Sequence, residues 1–197
     1  MERIDIKELH FITCIENVPS ILQIGIISRN KAIRDKVQFE DVSESGVQER
    51  RAGKRIPGTS KGLHDYANFY FDAHNPMLSA RRSRNDTICV LRIHPAVLNF
   101  DGVVVTDMNA ARDCRFMSVN EGLDSLDRDK VYMVNWKDLN NSINDYRQAG
   151  IKCAEILVPE CVESRYIIGA YVANEIALRA FRQICNLSVE INYKLFF

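Results

Sequence analysis

The sequence predicts an α+β domain built on a largely antiparallel sheet, and three observations lead there. Segments rich in Val, Ile, Tyr and Phe crowd the second half of the chain instead of alternating with helices. The 197 residues suffice for one domain with a sizeable core and are too few for two comfortable ones. Neither GxGxxG nor GxxxxGK[ST] occurs, so neither a Rossmann crossover nor a P-loop is indicated.

Taken in order, "LHFITC" reads as a first strand. In "ENVPSILQIGIIS", Val18, Ile21 and Leu22 share a helical face, and Gly25 is where that helix should end. "SRNKAIRDK" fits a second short helix. Residues 39 to 65 are polar and rich in Gly and Ser, long for a connection and therefore functional or disordered by expectation. The strand candidates that follow are "NFYF" (68–71), "TICVLRI" (87–93), "GVVVT" (102–106), "KVYMV" (130–134), "AEILV" (154–158), "YIIGAYV" (166–172) and "VEINYKLF" (189–196). Between the last two, "NEIALRAFRQIC" predicts a helix whose face is Ile176, Ala177, Ala180, Phe181 and Ile184.

Composition is that of an ordinary globular protein, and no apolar run approaches the length of a membrane span. "MERIDIKELH" lacks an apolar h-region, so no secretory signal is visible and reduced thiols in a cytosol are expected. The six cysteines show no CxxC spacing, which argues against a zinc ribbon or a redox pair. Cys89 and Cys153 read as packing residues. Between Arg50 and Arg84 stand Arg50, Arg51, Lys54, Arg55, Lys61, Arg81, Arg82 and Arg84 against Asp65 and Asp72. The segment carries plus six and the remainder minus six. Such a segment is either a solvated face or a surface for an anion such as nucleic acid or a nucleotide.

Several residues have a chemical reading beside an ordinary one. On a strand, Ala154, Ile156 and Val158 share one face and Glu155 shares the other with Leu157. Glu155 is thus either a perturbed carboxylate or an edge charge that discourages aggregation. Arg51 in "VQERRAGKRIP" has the fork to grip a phosphate or carboxylate, or is one more loop cation. His10 reads as an orienting group or a structural strand residue. His64 and His74 lack partners at ligand spacing, so no metal site is expected. Tyr66, Phe69, Tyr70 and Phe71 beside the basic cluster supply what a single strand of nucleic acid needs, although at least two of the four are expected in the core.

Together these pieces resemble the DarT family, toxins that ADP-ribosylate bases in single-stranded DNA. The likeness lies in "LHFITCIENVPSILQIGIIS", "VQERRAGKRIP", "HDYANFYFDAHNPML" and "KCAEILVPECV", in this order and over most of the chain. It implies an ADP-ribosyltransferase-like core of mostly antiparallel strands in a split sheet with flanking helices. One such domain would span residues 1–197, with a substrate-binding loop near 39–65. It implies NAD as substrate and no metal. It places the catalytic Glu on Glu155 and the catalytic Arg on Arg51, with Arg50 as the fallback. NAD-binding positions fall on His10 or Phe11, Thr13 and Asn17, and Tyr70 falls in the nicotinamide pocket. His74 stands where relatives often carry Arg. The DNA is expected on Arg50, Lys54, Arg55, His74, Arg81 and Arg82. A macrodomain antitoxin of the DarG type is the implied partner, and no membrane. The wording of "HDYANFYFDAHNPM" differs from that of thymidine-modifying members and leans to guanosine.

In that chemistry, cleaving the nicotinamide–ribose bond builds positive charge on the ribose. A carboxylate beneath it would accept a hydrogen bond from the 2′-hydroxyl and stabilise the charge, which suits Glu155 on a rigid strand. An arginine is too basic to take a proton, so Arg51 is expected to act electrostatically at the acceptor base. A single strand spares the unstacking cost of a duplex. Two rivals stand beside this reading: transfer to RNA or protein, and a non-catalytic single-strand-binding module.

Overall fold

The computed structural model describes residues 1–197. Strand β1 (Leu9–Cys14) leads through a 3-10 turn into helix α1 (Val18–Ile24), which has Pro19 in its first turn and Gly25 after its last. Gly25 has φ of 87°, and a Cβ there would sit 2.5 Å from the Val162 carbonyl oxygen. Only glycine meets both conditions. Strand β2 (Ile26–Ile27) and helix α2 (Arg29–Arg34) follow, the helix capped by Ser28, whose Oγ accepts the Lys31 N–H. Next come α3 (Ser45–Ala52), β3 (Tyr66–Tyr70), α4 (Pro76–Ser79), β4 (Ile88–Ile93), β5 (Val104–Thr106) and β6 (Phe116–Met117). Helices α5 (Val119–Ser125), α6 (Arg128–Val131) and α7 (Ser142–Ile151) lead to β7 (Glu155–Pro159), β8 (Cys161–Val162), β9 (Ile167–Val172), α8 (Glu175–Ile184) and β10 (Val189–Ile191).

Eight strands form one sheet in the order β10-β9-β4-β1-β3-β7-β5-β6, and β2 pairs with β8 apart from it. Every pairing is antiparallel except β10 with β9. β1 pairs with β4 along its whole length, and β3 does so with β7. Between β1 and β3, however, a single registered pair remains, His10 with Tyr70. The sheet therefore forks there, which is the split expected of it.

One face of the sheet carries the main core, in which Leu9, Phe69, Leu91, Ile156 and Phe181 are sealed from solvent. Burying each such side chain contributes about 1.5–3 kcal/mol. Ala154, Ile156 and Val158 point into it, whereas Leu157 packs across the sheet with Ile56, Leu63 and Tyr66. A further cluster gathers Ile12, Tyr70, Leu78, Val90, Cys153 and Phe196. No helix is long and apolar enough to cross a membrane.

The structure corrects four expectations. The polar segment 39–65 contains α3, whose "QERRA" run is made of good helix formers. "KVYMV" is no strand: Asp127 caps α6 by accepting the Asp129 N–H at 3.1 Å, and Val131 is buried as its last residue. "VEINYKLF" pairs only as far as Ile191, after which the chain turns and buries Leu195 and Phe196. In α8 the buried residues are Ala177, Leu178 and Phe181, while Ile176 and Ile184 are exposed. All four of Tyr66, Phe69, Tyr70 and Phe71 are buried, so that run offers no stacking surface on the outside of the protein.

Candidate active site

A cavity of about 440 Å³ opens at the fork, a size in the range of ligand sites. Phe11, Thr13 and Asn17 line it from the β1 side, Tyr66, Asn68 and Tyr70 from β3, and Gln48, Arg50 and Arg51 from α3. Residues 37–44 all line it, and this segment is pinned on several sides. The Asn17 side chain donates to the Glu40 carbonyl at 2.8 Å and accepts the Glu40 N–H at 2.9 Å. Arg29 pairs with Asp41 at 2.6 Å, Arg84 with Glu40 at 3.1 Å, and Arg81 donates to the Val42 carbonyl at 2.6 Å.

Behind the wall stands Glu155, with no exposed surface. Arg51 Nη1 donates to both its carboxylate oxygens, at 3.0 and 2.9 Å, and the Ala110 N–H donates to Oε1 at 2.9 Å. The Glu155 N–H is itself held by Thr106 Oγ1 at 3.1 Å. Arg51 is 5% exposed and lines the cavity, so it lies between the carboxylate and the open space. The register puts Tyr70 directly opposite Glu155. Burial, and then the Glu155 charge, push the Tyr70 hydroxyl well above its ordinary pKa, so it stays protonated. Burial pushes the Cys153 thiol up to about 12, which leaves it unreactive. Burial together with the charges of Arg29 and Arg51 lowers the pKa of His64.

The fork thus brings together Glu155, Arg51, Phe11, Thr13, Asn17, Tyr70, Arg50 and Arg81. It leaves other expected residues elsewhere. His10 does not line the cavity: its Nδ1 accepts the Ala73 N–H at 2.9 Å and its Nε2 meets Glu8 at 3.0 Å. Burial pulls the Glu8 pKa up, but hydrogen bonds from His10 and Arg92 outweigh it and hold the carboxyl at about 2. His74 stacks on Phe197 at 4.3 Å, edges onto Trp136, and lies 3.0 Å from the Leu195 carbonyl. That fastens the end of the chain. Lys54 donates to the Arg112 carbonyl, Arg55 to Ser60 at 3.3 Å and Arg82 to Ser79 at 3.4 Å. These three lie outside the cavity lining, and neither they nor Arg50 and Arg81 pair with a carboxylate.

Sequence reasoning missed Thr106, Ala110, Gln48 and Arg112. A backbone N–H leaves no trace in residue type, so Ala110 had no signal to find. Arg112 lines the cavity while its guanidinium lies 3.9 Å over the Tyr146 ring, a meeting set by α7.

The model of the family described as "DarT: ssDNA thymidine ADP-ribosyltransferase, DarT" matches residues 10–197. The chain belongs to the DarT family. A DNA ADP-ribosyl transferase-DNA ADP-ribosyl glycohydrolase fusion protein of Thermosipho africanus is 28% identical over 196 residues, covering 94% of this chain and 47% of the relative. The chain therefore spans about half the length of that relative. Among solved structures, Thermosipho africanus DarTG in complex with ADP-ribose superposes with a TM-score of 0.81 at 27% identity, over 97% of this chain and 51% of the other. Thermus sp. 2.9 DarT in complex with ADP-ribosylated ssDNA gives 0.80 at 23% identity, over 98% and 97%. The α+β architecture with its forked antiparallel sheet is the DarT fold.

Proposed function

We propose that this chain transfers ADP-ribose from NAD to a base in single-stranded DNA, as the toxin of a pair whose antitoxin is a macrodomain protein of the DarG type. The observation that carries the reading is the Arg51–Glu155 pair at the wall of the cavity. Further support comes from the relatives, which are described as DNA ADP-ribosyl transferase and as DarT bound to NAD+ or to ADP-ribosylated ssDNA.

In this reading NAD enters the fork along Phe11, Thr13 and Asn17, with nicotinamide against Tyr70. Glu155 Oε2 is held by Arg51 alone, whereas Oε1 is also held by the Ala110 N–H. A swing of Arg51 toward the acceptor frees Oε2 for the ribose 2′-hydroxyl while Ala110 and Thr106 keep the carboxylate in place. The carboxylate then stabilises the positive charge that develops on the ribose. Arg51, still cationic, is left to stabilise negative charge growing on the base. Asn17 has two roles to divide, since it also ties down segment 37–44 through the Glu40 backbone.

Thymidine is our assignment for the acceptor, supported by the description of the matching family model over the guanosine lean drawn from the wording of residues 64–77. The test is incubation of the chain with labelled NAD and, separately, single-stranded DNA, RNA and protein, followed by mass spectrometry of the modified strand. Label on single-stranded DNA at thymidine is the expected result. Label on guanosine corrects the base, label on RNA or protein corrects the substrate, and no NAD turnover leaves only a binding module. In bacteria, wild-type expression should slow growth and Glu155→Gln should not; equal growth counts against a toxin.

A further inference from the structure

The proposed reaction removes a proton from the acceptor base, and most groups at the fork are unsuited to take it. Arg51 is too basic. In that reaction Glu155 Oε2 is given to the ribose 2′-hydroxyl, and Oε1 is held by the Ala110 N–H. The Tyr70 hydroxyl and Cys153 thiol are held protonated. On segment 37–44, Glu40 and Asp41 are spent on Arg84 and Arg29. Glu44 also lines the cavity, but it is exposed to solvent at the start of α3. The neutral base on the cavity wall is His64.

His64 sits in the 3-10 turn Leu63–Asp65 that opens into β3. Its Nε2 lies 2.9 Å from Gln48 Oε1. A side-chain carbonyl accepts, so Nε2 carries the proton and Nδ1 keeps the lone pair, and no protein group hydrogen-bonds Nδ1. Gln48 is one turn before Arg51 on α3, so one helix face sets both the imidazole and the guanidinium at the same wall. The charged groups around the ring are Arg29 from α2, Arg51 from α3, Asp41 from segment 37–44 and Asp65 beside it. Burial and the two arginines prevail over the two carboxylates, which favours the neutral imidazole.

We propose that His64 is the proton acceptor for the DNA base, an inference that rests on the transferase reading above. The nicotinamide–ribose bond breaks and its electron pair leaves with nicotinamide, which becomes neutral. The ring nitrogen of the base forms the new bond to the ribose carbon, and the proton it carried passes to His64 Nδ1. The resulting imidazolium later gives that proton to solvent. Arg51 stabilises negative charge on the base while the proton moves, so the two residues divide the work at the acceptor.

The experiment measures single-turnover transfer from NAD to a single-stranded oligonucleotide from about pH 5 to about pH 10, beside NAD affinity by calorimetry. For the wild type, the rate rises through a limb below the ordinary imidazole value of about 6.5 and then levels. His64→Gln keeps NAD affinity, loses about 100-fold at neutral pH, and climbs tenfold per pH unit into the alkaline range as hydroxide replaces the imidazole. Gln48→Glu gives a second reading that does not depend on the first variant folding. A carboxylate on Nε2–H makes the ring more basic, so the limb moves up by about one pH unit. A His64→Gln profile parallel to wild type, a Gln48→Glu limb that does not move, or loss of transfer matched by loss of NAD affinity would each overturn the proposal. A wild-type chain that transfers nothing overturns the transferase reading itself, a result distinct from a flat His64 response.

Discussion

Lys152 and Glu155 stand three residues apart, both buried and both in ion pairs, yet they meet different surroundings. The Lys152 ammonium donates to Asp72 and, at 3.0 Å, to the Val131 carbonyl. Those partners fasten the turn before α4 and the end of α6 onto the start of β7. Glu155 faces Arg51, which donates to it through Nη1 and also lines the cavity. Burying an ion pair costs desolvation that its attraction repays incompletely, and well-packed apolar residues often serve stability equally well. Stability is thus a weak reason for an Arg–Glu pair at a cavity wall. A pair that ties neighbouring elements together is a fastener; one whose arginine lines a cavity is placed to meet a ligand.

That contrast breaks most visibly in turnover. Arg51→Ala should cut transfer at saturating DNA by about 100-fold or more, with the salt dependence of binding little changed. Lys152→Met, which keeps length and burial, should leave transfer per folded molecule near wild type. If the two variants lose activity alike, the fastener and the poised pair are not different in kind. The next effect is on stability. Lys152→Ala strands Asp72 and opens a gap, costing about 3 kcal/mol or roughly 10 °C in Tm, which thermal unfolding reads directly. The smallest effect sharpens the boundary of the site. Arg55 and Arg82 are exposed and hydrogen-bonded only to backbone. Replacing either by Ala should lower the slope of log affinity against log salt by about 0.7 with turnover at saturation kept. An unchanged slope would make them solvated surface and place the DNA elsewhere.

How much of this was legible in the sequence varied with the kind of signal. Alternation along "AEILV" put Glu155 opposite the core, because Ala154, Ile156 and Val158 fill it. Arg51 was legible only through family likeness. Its helix faces inward with Val47, Gln48 and Arg51, so it has little apolar period to betray it. Both faces of β1 are largely covered, so alternation could not tell whether His10 or Phe11 faces the cavity. "KVYMV" has strand composition, but the cap on Asp127 decides its start as a helix. His74 is fixed by Trp136 and Phe197, residues far away in sequence that only the fold brings together.

The central claim is that Glu155 carries the transfer of ADP-ribose to a single strand of DNA. Glu155→Gln tests it with least disturbance, since the amide fills the same space and its carbonyl can still accept from Arg51. The measurement is the intact mass of a single-stranded oligonucleotide after incubation with NAD and either protein. The expected result is a strand heavier by one ADP-ribose with the wild type and an unmodified strand with Glu155→Gln, both proteins melting cooperatively. A strand modified equally by the two would contradict it.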